Sequence, residues 1–171
     1  TANRDGNSFS VQLSGPGGSY TRTDYNSGGI RASDVTTADL NGDGRADIIV
    51  TNEKVDTNTS LGSVVAFLHN GNGAFGPKFV HQRGRETPRS ICSGDFDDDG
   101  QADVAVGSLE SNDVMVLYGN GDGTWRNDER DFPVGFGAIS VNCIDADGDG
   151  RTDIAYARKK AGDVGVLLTG Q

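Results

Sequence analysis

Apolar residues in this 171-residue chain come in short runs separated by polar, glycine-rich segments, and none recurs at the three-to-four spacing of an amphipathic helix. Three runs stand out for their likeness to one another: Ile48–Val50, Val104–Val106 and Ile154–Tyr156. Each is preceded by a run with an apolar residue at Val35, Ile91 or Val141, and followed by a longer one at Ser63–Leu68, Asp113–Tyr118 or Asp163–Leu168. Two of the longer runs lead into a turn ending in an aromatic residue, Asn70–Phe75 and Asn120–Trp125. Gly-rich turns of this kind join antiparallel strands. A fourth, less regular strand is expected near Lys78–Gln82 and Arg130–Val134. The unit is therefore four short strands in about 50 residues, the pattern of a β-propeller blade. The first full unit carries an insertion around Lys54–Ser60.

Between the first and second strand of each unit lies an acidic loop. The first has Asp39, Asn41, Asp43, Gly44 and Asp47; the second Asp95, Asp97, Asp99, Gly100 and Asp103; the third Asp145, Asp147, Asp149, Gly150 and Asp153. Side-chain oxygens at positions one, three, five and nine suit a hard cation that takes many oxygen ligands in irregular geometry, which is calcium. Glycine at position six allows a sharp turn, and the main-chain carbonyl of position seven (Arg45, Gln101 or Arg151) can supply another ligand. A polar turn would explain one copy but not three with the same oxygens. An EF-hand requires glutamate at position twelve, where this chain has Val50, Val106 and Tyr156.

These loops also account for the charge. The formal net charge is −10, and eleven carboxylates occupy ligand positions, three in the first loop and four in each of the others. Three calcium ions would bring the balance to about −4. Neither nucleic acid nor an anionic membrane is an expected partner. No apolar stretch has the length of a membrane span, and no signal peptide is recognisable. With 26 glycines and 34% hydrophobic residues, the composition favours strands and tight turns. Cys92 and Cys143 precede their loops on strands that can be neighbours, either bridged or as two buried thiols. Asn58-Thr59-Ser60 is a lone glycosylation sequon.

The units resemble FG-GAP/VCBS repeats, the calcium-binding blades of integrin α-subunit propellers and of secreted microbial propeller lectins. The resemblance covers essentially the whole chain. It implies an all-β fold, a β-propeller of four-stranded antiparallel blades, about three of them here, either partial or completed by oligomerisation. In that family the acidic loop links the two innermost strands and holds one calcium, giving three sites. Asn41 is the one departure among the ligands, and it makes the first site the weakest. The expected division is a half blade over 1–26, blades over 31–82 and 87–134, and an incomplete blade over 138–171, with 13 strands in all. Residues 1–26 match the second half of a unit, so the arc is phased to start and stop in mid-blade. It is then a fragment of a longer propeller, one part of a ring of several chains, or a small closed form in which the N-terminal strands complete the last blade.

Chemistry beyond metal binding is not indicated. His69 and His81 have no repeated counterpart, and the chain has no nucleophile elbow, zinc-protease motif or phosphate-binding glycine loop. Paired aspartates occur only in the metal loops, so an enzyme is not expected. The resemblance implies a secreted, extracellular binding module for carbohydrate or a protein ligand, lectin-like or adhesive. The alternatives are an assembly protein built through unpaired blade edges as a homo-oligomer, or a non-catalytic piece of a carbohydrate-active enzyme. Tyr20, Phe75 and Trp125 share one repeat position and are expected between blades. Glu53–Ser60, His81–Arg85 and Arg126–Arg130 are the less regular stretches for specific contacts.

Overall fold

A computed structural model describes residues 1–59, 61–135, 137–159 and 161–170, and within them leaves the side chains of Pro77 and of residues 83–86 undescribed. Fourteen strands form four antiparallel sheets. The first sheet contains β1 (Ala2–Asn3), β2 (Ser8–Ser14) and β3 (Tyr20–Asn26). The second contains β4 (Ile30–Ala38), β5 (Asp47–Lys54), β6 (Leu61–His69) and β7 (Phe75–Glu86) in sequential order. The third repeats that order with β8 (Pro88–Gly94), β9 (Asp103–Ser108), β10 (Asp113–Leu117) and β11 (Arg130–Pro133). The last has β12 (Ala138–Ile144), β13 (Asp153–Arg158) and β14 (Asp163–Leu167).

These are meanders of propeller-blade form, with no α-helix among the described residues. The extra strand relative to expectation is β1, a two-residue stub whose Ala2 and Asn3 pair with Phe9 and Ser8. The small closed form is not what the chain adopts: β1–β3 and β12–β14 are separate sheets that share no ladder. Among the described residues no helix is long and apolar enough to cross a membrane.

The short runs are apolar on both faces because both faces are buried. Along β5, Ile48 and Val50 face one cluster with Phe9, Val65 and Phe67, while Ile49 faces another. That second cluster joins Ile49, Val64 and Ala66 to Val104, Val106, Met115 and Leu117 of the next sheet. Ala105, Val114 and Val116 turn to a third cluster with Val141 and Ile154. Each cluster thus lies between two adjacent sheets, and period-two alternation assigns each residue to one of them. Val164, Val166 and Leu168 have no such neighbour and are exposed.

Strands β4, β8 and β12 pack side by side as the inner row. All three carry a register irregularity at the same repeat position, between Ala32 and Asp34, Pro88 and Ser90, and Ala138 and Ser140. Just before it the backbone has positive φ: Arg31 at 59°, Thr87 at 57° and Gly137 at 65°. Arginine and threonine rarely adopt that conformation. In two copies the amide of this positive-φ residue donates to the side-chain oxygen of an asparagine in a turn of the preceding sheet, Arg31 to Asn7 at 2.8 Å and Gly137 to Asn112 at 2.7 Å. Cys92 on β8 and Cys143 on β12 are disulfide-bonded, with Cα atoms 5.7 Å apart, so the inner row is also covalently tied.

Phe75 and Trp125 pack partly buried against the inter-sheet clusters, whereas Tyr20 is 72% exposed. The expectation of packing fails at Tyr20, which adjoins the first sheet where no further blade covers it. Of the sequon, Ser60 lies outside the described residues, as do the side chains of Arg83 and Arg85.

Candidate metal centres

The three acidic loops connect β4 to β5, β8 to β9 and β12 to β13, at one end of the inner row. Their backbones close in the same way. The position-one carboxylate accepts the position-six glycine amide: Gly44 to Asp39 at 2.8 Å, Gly100 to Asp95 at 2.9 Å and Gly150 to Asp145 at 3.1 Å. The position-five carboxylate accepts the position-seven amide: Arg45 to Asp43 at 2.9 Å, Gln101 to Asp99 at 2.8 Å and Arg151 to Asp149 at 2.9 Å. Two residues per loop have positive φ, Gly44, Gly100 and Gly150 at position six and Gly42, Asp98 and Gly148 at position four. A Cβ on Gly44, Gly100 or Gly150 would meet nothing within 4 Å, so the demand for glycine there is conformational. The position-four turn was not singled out from the sequence, although glycine there in two copies was a signal for it.

This winding brings three side chains of a loop together. Carboxylate oxygens of Asp95, Asp97 and Asp99 lie within 4.8 Å of one another, and so do those of Asp145, Asp147 and Asp149. In the first loop Asn41 stands between Asp39 and Asp43 and donates to Asp43 at 3.4 Å, so the amide softens a repulsion that the other loops retain. A cation among such converging oxygens would relieve their repulsion. In the second loop Asp95 Oδ1 is buried without a hydrogen-bond partner, the kind of orphan that a metal ligand leaves when its ion is removed. An all-oxygen donor set of this charge fits calcium.

The position-nine aspartates are placed differently from the other three. Asp47 is fully buried, with one oxygen accepting the Leu40 amide at 2.9 Å and the other the His69 amide at 2.8 Å. Asp103 does the same with Phe96 at 2.9 Å and Gly119 at 2.8 Å, and Asp153 with Ala146 and Thr169 at 2.9 Å each. Each of these side chains therefore clamps the start of its loop to the end of the third strand, which leaves only its remaining lone pairs for any further ligand. Burial pushes the Asp103 carboxyl up to about 6, against the two amides and with help from the charges of Asp97 and Asp99. At Asp153 less protein lies around the group, and the amides of Thr169 and Ala146 hold its carboxyl below the usual range.

Cationic side chains also reach the second loop. Arg126 bridges Asp97 and Asp99, the latter at 3.0 Å, and lies 4.6 Å over the ring of Tyr118. Arg151 of the third loop reaches Asp98 at 2.8 Å, linking two metal loops across the sheets. Arg45 stays within its own loop, 3.0 Å from Asp43. Of the irregular stretches, Arg126–Arg130 thus adjoins an acidic loop. His81 of β7 lies instead 3.9 Å from Glu129, just before β11.

An FG-GAP repeat profile matches residues 32–67, which hold the first acidic loop, and an FG-GAP-like repeat profile matches residues 95–156, which hold the second and third. The chain belongs to the FG-GAP repeat family. Among proteins that share these repeats, integrin alpha pat-2 of Caenorhabditis briggsae is 30% identical over 165 residues, covering 77% of this chain and 13% of that protein. Integrin alpha pat-2 of Caenorhabditis elegans is 30% identical over 173 residues, covering 79% of this chain and 14% of its own length. Integrin alpha-4 of Xenopus laevis is 31% identical over 141 residues, 71% of this chain and 14% of that protein. The FG-GAP chain thus spans about a seventh of the length of these relatives.

Proposed function

We propose that this chain is a calcium-stabilised, extracellular ligand-binding part of a β-propeller, non-catalytic, with a structural ion in each acidic loop. The observation that carries the reading is the convergence of Asp95, Asp97 and Asp99, and of Asp145, Asp147 and Asp149, within 4.8 Å. A cation shared among charges so close would relieve their mutual repulsion, which in the third loop no side-chain ion pair to Asp145, Asp147 or Asp149 offsets among the described residues. The residues that would hold it are the position-one, -three and -five oxygens, with Asp47, Asp103 and Asp153 supporting each loop from below. Bound calcium would supply charge neutralisation and a fixed loop shape. The extracellular setting is supported by the disulfide, which persists in oxidising compartments, and by the integrin α-subunit relatives. A carbohydrate or an extracellular protein are the ligand classes that such modules take.

Calorimetric melting in millimolar calcium and in excess EGTA tests the metal. A site saturated a thousandfold above its Kd adds about 4 kcal/mol to stability. The expected result is a large fall in Tm on chelation, and an unchanged Tm overturns the proposal. Titration calorimetry should further show that Asp97→Ala and Asp147→Ala each remove one calcium equivalent and leave the others in place.

A further inference from the structure

At the opposite end of the inner strands from the metal loops, three sheets meet around a single buried acid. Glu53, near the end of β5, has a side chain only 4% exposed. Arg4 of the first sheet's connection donates to both of its oxygens, at 2.9 and 3.1 Å. Arg89 of β8 lies 2.9 Å from one oxygen, and Arg31 of β4 lies 3.5 Å from the other. One carboxylate is thus surrounded by three guanidinium groups. A cavity of about 240 Å³ opens beside it, bordered by Arg4, Arg31, Lys54, Arg89, Glu53 and Glu110.

An ionic staple between blades would need one arginine, or two. Among the described residues four cations border this recess with two carboxylates, an excess of two positive charges in a protein whose net charge is −10. The arginines are also unequally used. Arg4 and Arg31 keep 49% and 54% of their side chains exposed, and the buried Nε of Arg89 has no hydrogen-bond partner. Guanidinium donors left over in a recess are arranged for the planar, two-oxygen face of a carboxylate. The left-handed backbone of Arg31, held by Asn7, fixes where its side chain leaves the strand.

We propose that this recess binds a carboxylate side chain of an acidic peptide segment on an extracellular protein partner. The proposal rests on the reading of the chain as a ligand-binding module and names its site and ligand class. A single carboxylate leaves the recess one charge positive. A densely sulfated or uronate-rich glycan would meet the same two surplus charges and then the acidic remainder of the molecule, which opposes it.

The test uses the whole chain in calcium, with the arginine Nε–Hε NMR signals as readout. The probes are acetyl-Gly-Glu-Gly-amide, its Gln counterpart and a heparin-derived tetrasaccharide. The expected result is a saturable shift of the Arg4, Arg31 and Arg89 signals with the Glu peptide alone, suppressed near 0.5 M salt, where screening acts within about 4 Å. Arg31→Gln should weaken that binding roughly tenfold, the loss of one charged hydrogen bond, with the calcium-dependent Tm retained. No saturable shift, or equal shifts with the Gln peptide, overturns the site. Shifts with the tetrasaccharide alone overturn the peptide as partner. Since Tm is followed with and without calcium in the same samples, failure of this site with an intact calcium response is distinguishable from failure of the module itself.

Discussion

Asp47 shows how one residue can do two jobs that look alike in sequence. Its spacing marks it as a metal ligand, but its two oxygens are already taken by the amides of Leu40 and His69 in a fully buried position. Asp47→Ala should therefore destabilise the fold by about 2–5 kcal/mol even in EGTA, because it strands two buried N–H donors. Urea unfolding of the metal-free protein checks this, and a loss seen only in calcium would return Asp47 to a purely ligating role. The ligand positions were legible because coordination demands oxygens at fixed intervals along a few consecutive residues. The clamp was not, since the His69 amide comes from a strand whose pairing only the fold establishes. The Arg4, Arg31 and Arg89 grouping around Glu53 was hidden for the same reason: its members come from three different sheets.

At the level of strands, legibility was high wherever both faces are buried. The apolar runs inside β5, β9 and β10, at Ile48–Val50, Val104–Val106 and Val114–Leu117, are short and buried on both faces. Leu117→Ala, at the fully buried end of β10, should cost about 2–5 kcal/mol through the lost contacts and the cavity left between two sheets. Val164→Ala on β14, where the side chain is 78% exposed, should change urea stability by less than about 0.5 kcal/mol. Equal effects at the two sites would contradict the assignment of faces. What sequence could not provide was β1, too short for any periodicity, and the exposure of Tyr20, which depends on what stands beside the first sheet rather than on its own turn.

For the whole molecule, two kinds of cross-link act on the inner row, one covalent and one ionic. The disulfide joins residues 51 positions apart and closes a loop that runs from within β8 through β9, β10 and β11 into β12. Replacing both Cys92 and Cys143 by alanine should lower stability by about 2–4 kcal/mol, chiefly by freeing the unfolded chain. Melting with and without a reductant reads the same effect, and a reductant-insensitive Tm would remove the bridge from the account. The alternation of faces between clusters carries a consequence for how such a chain can change. A duplicated or deleted unit rebuilds the same junction on either side, because each sheet offers its neighbour the same two surfaces. One residue inserted within β9 would instead exchange Val104 and Val106 with Ala105, so that every side chain beyond it faces the wrong neighbour. Variation is therefore tolerated in whole units or in connections such as Lys54–Thr59, and excluded in single steps within the strands.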